Sequence, residues 1–465
     1  MKKSILKLAL ALLLLILFYS KGFGQQHNTI YWLQGIPQSS YSNPALMPKP
    51  RFFIGMPAIS SVYLGAGHSG FAFRDLLRKD ALDNFYWDVD YMLGKLKNKN
   101  IFDMDAQAEI LSFGFRANRA YFSFNITEKV LTRLAYPKDL MTLVVNGNDF
   151  FRQEGRPGNF SGLGVDFAHY REFGMSYARQ FGDRLSAGIR LKALQGMSVI
   201  GFERSNIKMV TDPVNYNLLV NADLLVNISS PVSLIPIDSL NSDFTFEFDA
   251  VDYFSNTKNL GAAIDIGLTY KATDNLTLAF SAIDMGRINW NSGTENFAMM
   301  GEFEFEGLDF ASLIDSNNSG NQNLLDSIRS IFDIQETNRN FSTTLPAKFY
   351  LSAAYDLSPR HKIALLSMTE FYNSTLSPTF TLSYNVKPIH AFSLALSYSV
   401  IHLNYHNLGA GFNLNLGPLQ LYAISNNIFG TVQPHTDQAA NLHLGLNWVF
   451  GYRPKKEDVA PSINL

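Results

Sequence analysis

The chain has 465 residues, with 38 basic against 40 acidic side chains, a balance that excludes a nucleic-acid-binding field and gives no charge steering of a partner. Charged residues are only 17%, below the roughly 25% of soluble domains, while aromatics reach 13%, led by 37 Phe and 21 Tyr. There is no cysteine, which excludes disulfides, thiolate catalysis, thiolate metal sites and anchoring through a lipidated cysteine.

Residues 1–24 read as a secretory signal. Lys2 and Lys3 precede the apolar run Ile5 to Phe18, interrupted only by Lys7, and Gly22-Phe23-Gly24 is a small-x-small cleavage site leaving Gln25 first. The apolar run is shorter than the roughly 20 residues a spanning helix needs. No later stretch is apolar enough to cross as a helix, so any span of the exported chain must be β. Residues 25–50 hold Pro37, Pro44, Pro48 and Pro50. Proline resists ladder pairing, so this is a leading segment that packs somewhere rather than a strand. Arg51 to Leu64 is a first strand, bent at Pro57. Phe71 to Leu96 mixes aromatics and charge without period two and reads as a long loop with short helical turns.

Hairpins then recur. The clearest is Phe173 to Leu194, where Phe173, Met175 and Tyr177 alternate with Gly174, Ser176 and Ala178 ahead of the turn Gly182-Asp183-Arg184. Beyond it, Leu185, Ala187, Ile189 and Leu191 alternate with Ser186, Gly188, Arg190 and Lys192. Strict alternation gives a strand with one apolar face and one small or polar face. The other pairs are Glu109 to Ala117 with Ala120 to Thr127, Leu260 to Tyr270 with Leu276 to Asp284, and Ala347 to Leu357 with Lys362 to Phe371. Phe380 to Val386 pairs with Phe392 to Val400 around Lys387-Pro388, and Leu408 to Leu416 with Leu419 to Ser425 around Gly417-Pro418. A lone strand closes at Leu442 to Phe450. Six hairpins and two lone strands give about 14 strands, with tight turns alternating with long connections as in outer-membrane barrels. The expected fold is all-β: a transmembrane antiparallel β-barrel over residues 51–451, followed by a polar periplasmic tail, 452–465.

Two long connections would lie outside. Met197 to Phe254 has alternating runs at Leu218 to Ile228 and Phe244 to Phe248, which would extend the strands above the membrane. Met285 to Leu345 carries Leu324, Leu325, Ile328, Ile331 and Phe332 at the spacing of a short amphipathic helix, able to lid the mouth.

Chemistry-bearing patterns are few. His402 and His406 are four apart, and on a strand their Cβ atoms would lie roughly 13 Å apart, too far for one metal. No Gly-x-Ser-x-Gly elbow pins a serine to a histidine. The reading is a non-enzyme with no cofactor and no metal. Arg190, Lys192 and Asp265 fall on the lumen face. Turning Arg or Lys to lipid would cost about 2–4 kcal/mol at the midplane, so these three are expected to line the interior with paired charges. Tyr177, Tyr270, Tyr355, Tyr384, Tyr398 and Trp448 sit on the apolar side near strand ends, as an aromatic girdle. Arg179 interrupts the apolar series beside a turn, where it can snorkel to the interface.

Three stretches together resemble one family. QSSYSNPALMPKPRFFIGMPAISSVY (Gln38 to Tyr63) resembles the opening of a family of uncharacterised exported barrels, a domain of unknown function from the bacterial phylum that uses type IX secretion. YREFGMSYARQFGDRLSAGIRLKALQG (Tyr170 to Gly196) resembles its central hairpin, and LHLGLNWVFG (Leu442 to Gly451) its closing strand. More widely, Asn43-Pro44-Ala45 ahead of a 14-strand pattern is similar to the outer-membrane long-chain fatty-acid transporter superfamily, which also contains the type IX secretion shuttle protein. The resemblance implies the outer membrane and a hatch: residues 25–50 would plug the lumen through Asn43, Pro44 and Ala45. It implies passage or binding of a hydrophobic or small solute. The alternative is a non-transporting accessory or scaffold of secretion or surface attachment. Partners would be outer-membrane lipid, a hydrophobic small ligand and a secretion or surface protein, with no nucleic acid.

Overall fold

The computed structural model describes residues 28–33, 35–80, 82, 84–214, 216–230, 250–305, 334–401 and 404–451. The expected signal, the Phe244 to Phe248 run, the amphipathic helix around Leu324, His402 and the tail lie outside them. Among the described residues no helix is long and apolar enough to cross a membrane. The crossing is made by strands.

Fourteen wall strands form a closed antiparallel ring. The first is in two parts, Phe52–Gly55 and Val62–His68. Then come Lys99–Ala117, Ala120–Pro137, Gly164–Phe181, Leu185–Thr211, Leu260–Lys271 and Leu276–Trp290. The other half is Ala347–Ser358, His361–Tyr372, Thr375–Ile389, Phe392–Ile401, Asn404–Leu416, Leu419–Ser425 and Ala439–Phe450. The last strand pairs with both parts of the first, Phe52 facing Phe450 and Val62 facing Leu444, so the ring leaves no edge to satisfy.

Alternation explains the facing. Met175, Ile189, Leu191, Leu268, Phe280, Leu351, Leu365 and Leu382 are exposed on the outside, while Ser176, Arg190, Lys192, Ser281, Ser352, Thr381 and Ser383 are buried inside. This is a soluble protein turned inside out. Each outward Leu or Phe would forgo about 1.5–3 kcal/mol in water and recovers it only against hydrocarbon. The girdle residues are all on the outer face. Tyr177, Tyr270, Tyr355, Tyr384 and Trp448 gather at the tight-turn end, whereas Tyr398 sits towards the other end of its strand. Arg179 is exposed next to its turn, with its guanidinium 5.8 Å from the Phe181 ring centroid.

Several boundaries differ from expectation. The second strand starts at Lys99, ten residues before Glu109, and the third runs to Pro137. The extension of the second strand pairs with Val62–His68 and keeps Phe102 and Met104 exposed between Asp103 and Asp105. The turn expected at Lys387-Pro388 falls at His390-Ala391, because the ladder shifts between Val386 and Ile389 and the shift accommodates a proline that has no N–H to donate. Phe71 to Leu96 holds helices Phe73–Leu76 and Val89–Lys95 around a small hairpin, Leu77–Lys79 with Phe85–Trp87. Asp88 caps the second helix by accepting the Tyr91 N–H at 3.0 Å.

The longest wall strand, Leu185–Thr211, has 27 residues, far more than the roughly 10 a membrane crossing uses. Its far half leaves the ring and pairs with Leu218–Ser229, which pairs in turn with Thr294–Phe305. The expected extension at Leu218 to Ile228 is thus a strand of an outer sheet. The chain ahead of the wall lies within the ring. Ile30–Trp32 and Pro37–Tyr41 are short 3-10 turns. Tyr31 and Trp32 pack with Ile283, Tyr350, Leu366 and Met368, and Ile30, Leu33 and Ile36 pack with Ala395, Tyr422 and Ile424. Two of the molecule's apolar cores therefore form between this segment and inward side chains from two arcs of the wall.

Candidate functional site

Asn43-Pro44-Ala45 meets the wall at two bare positions. Gly188 and Gly267 face each other across one ladder. A Cβ at Gly188 would sit 2.3 Å from the Pro44 carbonyl oxygen, and one at Gly267 2.1 Å from Asn43 Oδ1. Only glycine permits that approach. Asn43 Oδ1 accepts the Ala45 N–H at 2.9 Å, which holds the turn, and Nδ2 donates to the Tyr31 hydroxyl at 3.2 Å and the Phe280 carbonyl at 3.3 Å. The Ser281 hydroxyl donates to the Ser42 carbonyl at 2.6 Å.

A second hold is Glu109, fully buried. Its carboxylate accepts from Gln38 at 3.0 Å, Ser60 at 2.6 Å, Ser112 at 2.5 Å and the Tyr41 hydroxyl. Gln38 also donates to Asn447 on the last strand. Among the described residues the carboxyl group has no cation partner within salt-bridge distance. Four donors serve it, two of them from the N-terminal segment.

Arg190, Lys192 and Asp265 come together with Glu172, Asp284 and Lys129. Lys192 Nζ lies 2.6 Å from Asp284, 2.8 Å from Asp265 and 3.6 Å from Glu172. Arg190 and Lys129 each lie 2.7 Å from Glu172. Three cations face three anions. Arg190 and Asp265 are opposite in register, yet neither is the other's closest ion. A bulge sets this: Asp265 faces the two residues Ile283 and Asp284 where the ladder shifts, and Asp284 takes a φ of 57°. The shift frees the Asp284 N–H, which donates to Asp265 Oδ1 at 2.7 Å. Arg190 instead donates to Asn125 at 2.6 Å and stacks on Tyr41, 4.1 Å from its ring centroid. Lys129, Glu172 and Asp284 were not singled out from sequence. Glu172 heads an apolar series, Lys129 lies beyond the strand end that alternation marks, and Asp284 stands at one. A charge breaking the small-residue face at such an edge is the signal that would have found them.

Above this network lies a cavity of about 450 Å³ within the wall. Lys129 and Asp284 reach its lining from the network. Its lining includes the apolar Phe167, Ala168, Val199, Ile288, Phe341 and Leu345 beside the hydroxyls of Ser342, Thr343 and Thr344. It also carries Asp103, Asp105, Arg133, Glu370 and Tyr372. Arg133 lies 3.1 Å from Glu370 on a strand across the ring. Among the described residues no three His, Asp or Glu side chains are placed to hold a metal ion.

A model of a family of unknown function (DUF5723) matches residues 44–426. No curated protein matches the chain significantly. Among solved structures it is similar to a FadL homologue of Pseudomonas aeruginosa, with 12% identity over 89% of this chain and 94% of that one, at a TM-score of 0.43. It is also similar to the toluene transporter TbuX of Ralstonia pickettii, with 9% identity, 89% and 94% coverage and a TM-score of 0.42. A third is the deltaS2S3 mutant of the monoaromatic hydrocarbon channel TodX, with 10% identity, 88% and 92% coverage and a TM-score of 0.43.

Proposed function

We propose that this chain, which belongs to the family of unknown function DUF5723, is an outer-membrane barrel that binds and passes a hydrophobic or small solute. The observation that carries this reading is the cavity of about 450 Å³, within the usual range for ligand sites, with a partly apolar lining inside a membrane barrel. In this reading residues 25–50 are the hatch. Asn43, Pro44 and Ala45 seat it on the two glycines, Glu109 holds its middle, and Arg190, Lys192 and Asp265 belong to the floor beneath the cavity. Passage requires the segment to shift, because it occupies the ring below.

The contacts of residues 28–50 around the ring support a second reading, binding without passage, as an accessory of secretion or surface attachment. Native mass spectrometry of the protein drawn from its own membrane in mild detergent separates the two. A lipid-like or small ligand at fixed stoichiometry supports passage. A stable protein partner with no small ligand overturns it in favour of the accessory reading.

A further inference from the structure

The outside of the ring is unevenly charged. Among the described residues, the tight-turn end of the first six wall strands exposes Arg51, Arg119, Arg179, Arg184 and Lys271 against Asp183 and Asp274. Beyond them the tight turns expose one cation, Arg360. Arg179 is the centre of the basic arc. It points outward in the row Ala117, Ala120, Arg179, Ala187, whose members face one another in register across four strands. Methyl groups on both sides of one guanidinium leave an open shelf. One row further into the membrane, Phe115, Phe122 and Tyr177 face one another, exposed, with ring centroids 5.3 and 5.1 Å apart. Arg179 lies two residues past Tyr177, about 7 Å along the strand at roughly 3.3 Å per residue. With the usual strand tilt that is about 5 Å nearer the surface, the depth of the lipid head groups. Arg184 stands in the adjoining turn. Arg119 stands in the neighbouring turn, where its carbonyl accepts the Gln180 N–H at 2.9 Å. Asp183 lies 3.8 Å from Arg119. Among the described residues Arg179 meets the Phe181 ring, and neither it nor Arg184 has a carboxylate within ion-pair distance.

We propose that this face binds one anionic phospholipid from the leaflet at the tight-turn end, with its phosphate among Arg119, Arg179 and Arg184 and an acyl chain along Phe115, Phe122 and Tyr177. The site is independent of whether the barrel passes a solute. Arginine's planar fork matches a phosphate with two parallel hydrogen bonds. A zwitterionic lipid brings an ammonium group to the same arginines and gains less. An acidic protein could meet the turns, but it would leave the aromatic row, at hydrocarbon depth, untouched.

Native mass spectrometry of the full chain in mild detergent, with dioleoyl phosphatidylglycerol or dioleoyl phosphatidylcholine added in turn, counts the bound lipid and gives its affinity. A cation beside an anionic lipid favours binding roughly fivefold. Three arginines less Asp183 leave two net cations, so one phosphatidylglycerol per barrel should bind about thirtyfold tighter than phosphatidylcholine. Arg179→Gln combined with Arg184→Gln should abolish that preference, and Arg360→Gln, outside the arc, should keep it. Equal affinity of the two lipids for the folded wild-type barrel would overturn the proposal, whatever the variants do. A preference that survives the double variant, or that Arg360→Gln also removes, would overturn it as well. Soluble glycerophosphoglycerol, the head group without chains, should fail to displace the lipid at equal concentration. Displacement would mark a site for free phosphate esters and overturn the lipid assignment.

Discussion

Gly188→Ala places one methyl group where the Pro44 carbonyl now lies. The new Cβ would be 2.3 Å from the Pro44 oxygen, against 3.4 Å for an ordinary contact, so the segment must move by about 1 Å. The obstacle is backbone on both sides, which cannot rotate away. Overpacking of this kind costs about 1–3 kcal/mol. Withdrawal of residues 43–45 relieves it but gives up the Ser281–Ser42 bond and the Asn43 bonds. A shift of about 2 kcal/mol changes the seated-to-unseated ratio about thirtyfold. The chain has no cysteine, so a single Ser39→Cys reporter can be added at a position 1% exposed. A charged maleimide reaches that thiol only when the segment leaves its seat. Labelling in the Gly188→Ala background should be about thirtyfold faster than in the parent. Gly94→Ala, where a Cβ meets nothing within 4 Å, should leave the rate unchanged. Equal rates with and without Gly188→Ala, in a barrel shown to be folded by its heat-modifiable gel migration, would refute the glycine seat.

Glu109→Gln keeps the shape but removes the charge that four donors serve. It should speed Ser39→Cys labelling roughly tenfold, since hydrogen bonds to a charged group are worth about 1.5–3 kcal/mol and neutral ones about 1; an unchanged rate argues that Glu109 does not hold the segment. Lys192→Met leaves an uncompensated buried anion and should cost about 3–5 kcal/mol in urea unfolding of the refolded barrel. Adding Asp265→Asn restores neutrality and should return most of that loss, so a double variant as unstable as the single one rules out the paired network. For topology, Val214 is 85% exposed beyond the long strands, and Asp274 is exposed in a tight turn. In intact cells an impermeant maleimide should label Val214→Cys and miss Asp274→Cys, and the reverse pattern inverts the orientation.

The ring was legible because its physics is periodic. Phe173 to Leu194 shows both faces in one stretch, and the same alternation recurs up to Leu442 to Phe450, so strand number and facing follow from sequence. Ends were less legible where the constraint changes. In Lys99 to Glu109 the outward Phe102 and Met104 alternate with Asp103, Asp105 and Glu109, and so acidic an inner face does not read as the inside of a wall. The facing of Arg190, Lys192 and Asp265 followed from the cost of turning charge to lipid. Their partners did not, because a one-residue bulge at Asp265 redirects the pairing diagonally and brings in Glu172, Asp284 and Lys129 from other strands. Gly188 and Gly267 were visible only as small residues. That they face each other, and that a carbonyl lies between them, depends on the register of two strands some 75 residues apart in sequence.

In the floor, Lys129, Arg190 and Lys192 are matched by Glu172, Asp265 and Asp284 within 4 Å, and the set needs nothing from outside. Such matching suits a permanent part, because a buried ion with no partner costs several kcal/mol. The floor also touches the N-terminal segment, through Arg190 on Tyr41, so a polar wall and an apolar segment are held in one arrangement. The strand that carries Glu109 also carries Asp103 and Asp105, opposite Arg133 and Leu131 in register.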